Sequence, residues 1–222
     1  MVCSREVHVI DAALLARGYK LKNCLPHGFR YLPGYFSRQQ QEKLVELVRA
    51  GIKEAPFYQP IMPKTGQPTS VIMSNFGELG WISEKSGYRY DTLHPKTAKP
   101  WPKMPQELLD LWRDVTTWPQ NPQSCLINWY REKSQLGLHI DASEQAKDAP
   151  IVSVSLGDQA LYRMGGLERN SPTGSFKLSS GDVLVLANTA RHCYHGVDRI
   201  YGGTSTLIPK GGRINLTLRV VR

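Results

Sequence analysis

In "RINLTLRVV", residues 213–221, two kinds of side chain alternate. Written as a strand, Arg213, Asn215, Thr217 and Arg219 share one face, and Ile214, Leu216, Leu218 and Val220 share the other, because successive side chains point to opposite sides. The apolar face belongs against a core. The polar face carries two guanidinium groups, which are costly to bury without anions to meet them. A dicarboxylic acid is a fitting partner, because guanidinium forks match carboxylates bidentately. A solvated outer face of an edge strand is the competing reading. It accounts for the charges but not for the Asn and Thr beside them.

Upstream, "CLINWY" (125–130), "PIVSVSLG" (150–157), "ALYRM" (160–164), "GSFKL" (174–178) and "DVLVLA" (182–187) are short, rich in Val, Ile, Leu and Tyr, and separated by Gly, Asn, Ser or Pro. Such runs read as strands joined by turns. Many short strands without interleaved helices predict an antiparallel sandwich or barrel, with the jelly roll a natural candidate. The N-terminal third contributes helices instead. Ser37 and Gln40 fit a capping box, and Leu44, Val45, Leu47, Val48 and Ile52 form an apolar stripe, which predicts a helix over about 37–54. A second helix is predicted from about Pro105 to Trp118, where Leu108, Leu109, Trp112 and Val115 recur at helical intervals. Both read as scaffold.

The segment between them, 57–104, resembles neither. Lys64, Lys85, Arg89, Lys96, Lys99 and Lys103 outnumber Glu78, Glu84 and Asp91, and Phe76, Trp81, Tyr88, Tyr90 and Trp101 are interleaved with them. Cations for phosphates and rings for bases suit a nucleic-acid strand. Ordinary packing of aromatics under a loop is an equal alternative at this point.

Bulk composition narrows the classes. A chain of 222 residues with formal net charge +9 predicts one domain and favours a polyanionic partner, either nucleic acid or a membrane surface. No apolar run approaches the roughly 20 residues of a spanning helix. "MVCSREVHVIDAALL" (1–15) breaks its apolar residues with acidic and polar ones where a secretory signal needs an unbroken segment. Cys3, Cys24, Cys125 and Cys193 are scattered without a C-x-x-C pair, which argues against a zinc ribbon or a disulfide framework. We expect a soluble, cytoplasmic monomer with no membrane partner.

"LGLHIDAS" (136–143) places His139 and Asp141 two apart, so on extended backbone both point to the same side. His195 lies 54 residues beyond Asp141, past several predicted strands, where a jelly roll folds it back. Two histidines and one carboxylate make the facial ligand set of non-haem iron(II) oxygenases, with positions left open for a co-substrate and oxygen. Taken alone H-x-D is a weak signal, since a lone histidine is more often structural. In "RHCYHGV" (191–197), extended backbone would turn His192 and His195 to opposite sides, so at most one faces the barrel interior. His195 is the expected ligand, with His192 and Cys193 as structural neighbours.

"NWY" (128–130), "LHID" (138–141), "PIVSVSLG" (150–157), "GGLERNSP" (165–172), "SGDVLVL" (180–186), "YHGV" (194–197) and "RINLTLR" (213–219) together closely resemble the AlkB family of iron(II)- and 2-oxoglutarate-dependent nucleic-acid dealkylases. "MSNFGELGW" (73–81), "GYRY" (87–90) and "KPWPKMPQ" (99–106) extend the likeness, which covers roughly 60–222. The resemblance implies a mainly β, α+β fold: a double-stranded β-helix (jelly-roll) core with N-terminal supporting helices and a nucleotide-recognition lid. The whole chain, 1–222, is then one domain, divided into a cover over 1–56, a lid over 57–104, and a helix plus catalytic jelly roll over 105–222.

By the same resemblance, His139, Asp141 and His195 bind Fe(II), and Asn128, Tyr130, Arg213, Asn215 and Arg219 hold 2-oxoglutarate. Trp81 contacts the alkylated base, Tyr88 and Tyr90 belong to the lid, and Met73 lines the base pocket. The chain departs from the best-known bacterial member at Ser143, which stands in place of a second, base-touching aspartate. The implied activity is oxidative demethylation of N1-methyladenine and N3-methylcytosine, with Fe(II), O2 and 2-oxoglutarate consumed or used and formaldehyde, succinate and CO2 released. The implied partner is alkylated DNA, single-stranded or with its base flipped out, and RNA is a second candidate. Two alternatives stay open: a hydroxylase of a protein or small molecule, and a catalytically silent nucleic-acid-binding jelly roll.

Overall fold

Alternate residues of the long strands enter different layers, and this alternation builds the molecule. The computed structural model describes residues 25–222; Cys3, Cys24 and the first part of the expected cover lie outside the described residues. In chain order, β1 (Phe29–Leu32) and α1 (Arg38–Glu54) are followed by β2 (Ile72–Gly77), β3 (Gly80–Glu84), β4 (Gly87–Asp91) and α2 (Gln106–Val115). Next come β5 (Ser124–Tyr130), β6 (Leu136–His139), β7 (Ile151–Gly157), β8 (Gln159–Met164), β9 (Gly174–Leu178) and β10 (Val183–Leu186). A single helical turn, α3 (Asn188–Arg191), leads to β11 (His195–Tyr201) and β12 (Arg213–Arg219).

Two antiparallel sheets face each other as a jelly roll, one ordered β1-β10-β7-β12-β5-β2 and the other β6-β11-β8-β9, while β3 and β4 form a separate hairpin. On the larger sheet, Ile127, Val152, Val154, Leu156, Val185, Leu216 and Leu218 turn outward onto Leu44 and Val48 of α1 and Leu108 and Trp112 of α2. Their sequence neighbours Leu126, Tyr130, Ile151, Leu184 and Leu186 turn inward towards Tyr162, Met164, Phe176 and Val197 of the smaller sheet. Both faces of the larger sheet are therefore covered.

β12 lies between β5 and β7, with Asn215 opposite Asn128 on one side and Ser155 on the other. The solvated-edge reading of its polar face fails, because Arg213, Asn215, Thr217 and Arg219 are all buried. That face looks into the space between the sheets.

The Ser37 capping box is present: its hydroxyl accepts from the Gln40 backbone N–H, and Gln40 Oε1 accepts from the Ser37 backbone N–H at 2.9 Å. In α1, Gly51 packs so close to Phe76 of β2 that an added Cβ would sit 2.3 Å from a ring carbon. Gly51→Ala is expected to destabilise the fold by about 1–3 kcal/mol, the usual range for overpacking, despite the better helix propensity of alanine. A urea midpoint at or above the parent value would contradict that packing. α2 is shorter than the expected Pro105–Trp118, because the chain turns extended at Thr116 and its hydroxyl donates back to the Trp112 carbonyl at 2.9 Å.

The segment 57–104 is not one unit. Ile72–Gly77 pairs with β5 as an edge strand of the larger sheet, and only the β3–β4 hairpin stands apart from both sheets. Of the five aromatics for which nucleic-acid contact and ordinary packing were equal readings, Phe76 and Trp101 are core residues, 3% and 5% exposed. Trp101 closes the base of the hairpin by donating to the Asp91 carbonyl at 2.9 Å. It packs on Gly80, where an added Cβ would meet the indole at 2.2 Å. Among the described residues no helix is long and apolar enough to cross a membrane.

Candidate metal and co-substrate site

β6 and β11 run antiparallel with His139 and His195 as register partners, so the jelly roll itself brings two distant histidines side by side. Their ring centroids are 4.6 Å apart. Asp141, two residues past His139, completes the group: its Oδ1 lies 3.8 Å from His139 Nε2 and its Oδ2 lies 3.9 Å from His195 Nε2. One ligand atom from each residue falls within 4.8 Å of the other two.

The far side of each ring supports metal binding. His139 Nδ1 lies 2.8 Å from the Gly137 carbonyl and His195 Nδ1 lies 3.1 Å from the Cys193 carbonyl. A carbonyl only accepts, so each Nδ1 carries the proton and each Nε2 presents a lone pair towards Asp141. Two anchored imidazoles and a carboxylate converging on one point fit an Fe(II) ion.

Burial, then the neighbouring His139, push His195 down to about 4, against Asp141 and the Cys193 carbonyl, which favour its charged form. It is therefore neutral near pH 7, as a ligand must be. Burial alone would raise the Asp141 carboxyl, but Arg219 and the two histidines overcome it and hold the group well below the usual carboxylate range. As pH falls from the ordinary histidine value of 6.5 towards 4, the unfolded chain takes up a proton that folded His195 refuses. The metal-free protein should accordingly lose stability across that window. Urea midpoints compared between about pH 7 and about pH 4.5 measure this; equal midpoints would contradict it.

His192 and Cys193 stand outside the group. Residues 188–191 are helical rather than extended, so the expected alternation does not apply there. The outcome for the ligand is the same: His192 is half-exposed near Asp148, and buried Cys193 lies against the Thr189 carbonyl. Cys125 and Cys193 are both buried and free, and burial pushes both thiols up, which makes them unreactive.

The polar face of β12 lines the same cavity, a space of about 470 Å³ that reaches from the His139, Asp141 and His195 group outward to Trp81 and Tyr88. Arg213, 1% exposed, donates from Nη2 to Ser155 Oγ at 2.8 Å and lies 5.1 Å over the Tyr130 ring. Its Nε and Nη1 meet no acceptor among the described residues. A buried cation with two unmet donors facing a cavity calls for a carboxylate there, which a 2-oxo diacid supplies. Asn215 donates to Ser153 Oγ and the Val154 carbonyl, while its own oxygen accepts from Thr217 and, at 3.4 Å, from Asn128. Arg219 instead donates from Nη2 to Asp141 Oδ1 at 2.8 Å.

At the mouth of the cavity the Trp81 backbone is fixed at both ends, its N–H on Asn75 Oδ1 at 3.1 Å and its carbonyl on the Tyr58 hydroxyl at 2.8 Å. The Trp81 indole stacks on Tyr88, centroids 5.3 Å apart and planes 21° apart, and its Nε1 reaches Ser143 Oγ at 3.4 Å. Met73 lies on β2 beneath this pair and lines the cavity. Tyr90 differs from Tyr88: its hydroxyl donates to Glu144 Oε1 at 2.5 Å, and neither of these two residues lines the cavity.

Five participants were not singled out from the sequence. Ser153 and Ser155 interrupt an apolar strand at every second position, a signal present in "PIVSVSLG". Glu144 and Arg191 form a buried ion pair at 3.0 Å with each side chain 2% exposed, yet they are 47 residues apart and nothing local marks either one. Tyr162 stacks on His195 with 6.0 Å between centroids.

The profile of the 2OG-Fe(II) oxygenase superfamily matches residues 28–219. The chain is 46% identical over 218 residues to an alpha-ketoglutarate-dependent dioxygenase AlkB homolog of Caulobacter vibrioides, covering 96% of this chain and 98% of that protein. It is 39% identical over 188 residues to the alpha-ketoglutarate-dependent dioxygenase AlkB of Escherichia coli, covering 83% and 86% of the two chains. Among solved structures it superposes on OsALKBH1 with TM-score 0.76 and 27% identity, over 90% of this chain and all of that one. With the jelly roll, the histidine–aspartate group and the unmet arginine already in place, these likenesses make the chain a member of the AlkB family of dioxygenases, enzymes that use Fe(II), 2-oxoglutarate and O2.

Proposed function

We propose that the enzyme demethylates N1-methyladenine and N3-methylcytosine in DNA, with RNA as a second polynucleotide substrate, acting as a cytoplasmic monomer. One observation carries the reading: a single cavity joins the His139, Asp141 and His195 group to the stacked Trp81 and Tyr88 rings at its mouth. A cavity of this size and depth accepts a flat base with its methyl group directed inward, and the wall of Met73 and the Trp81 ring suits its π-face. The comparisons add support, since relatives of Arabidopsis thaliana carry the description DNA N(6)-methyladenine demethylase.

In this reading His139, Asp141 and His195 hold Fe(II), and Arg213 holds the distal carboxylate of 2-oxoglutarate through Nε and Nη1. Asn128, Tyr130 and Asn215 shape the floor beside it, with Arg219 next to the metal end. Bound Fe(II), with 2-oxoglutarate and O2, supplies the oxidising power to hydroxylate an N-methyl carbon, after which the base is released with formaldehyde, and succinate and CO2 leave from the co-substrate. The work of the protein is to position. Trp81 and Tyr88 take the extruded base, Met73 limits its depth, and the fold excludes water from the reacting end. The methyl group sits on the pairing edge, so the base must be single-stranded or flipped, and a lesion that blocks pairing lowers the cost of extrusion. Ser143 offers a neutral hydroxyl at the base edge.

The test is formaldehyde release from matched single-stranded oligonucleotides, methylated or not, in the presence of Fe(II) and 2-oxoglutarate. Release from the methylated strand alone, weakening as salt rises, is expected. Equal 2-oxoglutarate turnover with and without the methylated strand would leave a protein or small-molecule hydroxylase as the better reading.

A further inference from the structure

Asp141 stands outside the strand ladder that fixes the two histidines. β6 and β11 pair as far as His139 and His195, and from Ile140 to Pro150 the chain has neither helix nor strand. Among the described residues no main-chain group pairs with the Asp141 backbone. Its carbonyl accepts instead from a side chain 50 residues away, Arg191 Nη1. Arg191 is buried, and all three of its side-chain nitrogens meet this one irregular stretch. Nη1 takes the Asp141 carbonyl, Nη2 the Glu144 carboxylate at 3.0 Å, and Nε the Ala149 carbonyl at 3.0 Å. A planar fork reaches three fixed acceptors at once, which the single ammonium of a lysine does not.

Arg191 closes α3, shortly before His195 at the start of β11. Its fork therefore ties the chain that carries one imidazole to the chain that carries the carboxylate, as the β6–β11 ladder ties the two imidazoles to each other. Arg219 Nη2 also meets Asp141, on Oδ1 at 2.8 Å, but that bond orients the carboxylate without fixing the backbone behind it. The remaining anchors of the stretch lie further along, with Trp81 Nε1 on Ser143 Oγ at 3.4 Å and the Gln145 N–H on the Val221 carbonyl at 2.8 Å. The hold of Arg191 is geometric rather than Coulombic. It and Glu144 neutralise one another at 3.0 Å, so the pair brings no net charge to a dication site.

We propose that Arg191 is a positioning residue for the metal, fixing the Asp141 main chain so that the carboxylate meets the two imidazoles at one point. Metal sites hold their ligand distances to within about 0.2 Å, so a carboxylate on an untethered backbone binds more weakly. Partners outside the ligand set commonly account for roughly 10–100-fold in metal affinity. The proposal rests on His139, Asp141 and His195 being the metal ligands, and not on the nature of the nucleic acid.

The experiment measures Mn(II) affinity by calorimetry on the full protein, with urea midpoints of the metal-free forms alongside. Arg191→Lys keeps the charge and loses the fork, and is expected to weaken Mn(II) at least about tenfold. Arg191→Met/Glu144→Gln removes both charges of the buried pair, a change often neutral for stability. It is expected to fold and to lose Mn(II) affinity to a similar degree. Dependence on Asp141 separates positioning from a general loosening of the fold. Asp141→Ala keeps both imidazoles, which suit Ni(II), so Ni(II) is the probe for comparing the two backgrounds. Arg191→Lys should weaken Ni(II) in the parent and change it less than about twofold in Asp141→Ala, where the group it positions is gone. Mn(II) affinity within about twofold of the parent in either Arg191 variant, or an equal Ni(II) loss in both backgrounds, overturns the proposal. Parent-like Mn(II) binding in Asp141→Ala overturns the ligand assignment and the positioning with it. Loss of Mn(II) there with retention in Arg191→Lys overturns the positioning alone.

Discussion

His139→Ala is expected to abolish formaldehyde release and to weaken Mn(II) binding by more than about 100-fold, beyond the roughly 10–100-fold that loss of a partner outside the ligand set commonly costs. His139 supplies one of only three protein donors, and its Nε2 cannot be replaced from nearby: among the described residues, no further histidine, cysteine or acidic side chain joins the His139, Asp141 and His195 group. His192→Ala is the matched control, since His192 is half-exposed and outside the group. It should retain metal and activity within about twofold, as surface substitutions away from such features usually do. Mn(II) titration followed by electron paramagnetic resonance separates the two variants. Loss of metal in His192→Ala with retention in His139→Ala would overturn the ligand assignment.

Arg213→Met should give an opposite pattern for stability and for binding. In the parent, Arg213 is buried with Nε and Nη1 unmet by the described residues, a cost to the fold that a carboxylate in the cavity would relieve. Methionine keeps the contact with the Tyr130 ring and removes the uncompensated charge. Without co-substrate the variant is therefore expected to unfold at the same or a higher urea concentration than the parent. Its affinity for 2-oxoglutarate should fall by about 30-fold or more, corresponding to the roughly 2 kcal/mol at the low end for truncating one side of a buried charge pair. A variant that is destabilised yet binds 2-oxoglutarate normally would show that Arg213 is a structural cation and not the carboxylate holder.

The legible and illegible parts of this molecule differ in how local their signals are. Alternation in "RINLTLR" carried both the core face of β12 and the polar wall of the cavity, because strand period and burial are set residue by residue. Spacing also carried the Ser37 cap and the pairing of His139 with Asp141. The segment 57–104 was misleading as a unit. The resemblance assigned the whole of it to one lid, but Ile72–Gly77 is held in the larger sheet by β5, a partner whose identity no local pattern announces. Phe76 and Trp101 likewise went to the core because helix α1 and Gly80 leave ring-sized spaces there. Glu144 and Arg191 were hidden for the same reason. In "ASEQAKD" an acid reads as solvated, and only the return of α3 beside Ala149 and Asp141 buries it against a guanidinium.

Simultaneous quantitation of succinate and formaldehyde from the parent enzyme tests the central claim most directly, with Fe(II), limiting 2-oxoglutarate and a single-stranded oligonucleotide bearing one N1-methyladenine. The account predicts equal yields of the two products, both lost when Fe(II) is omitted and both lost in His139→Ala. Succinate formed at the same rate without the methylated strand, or methyl loss that persists without Fe(II), would contradict it.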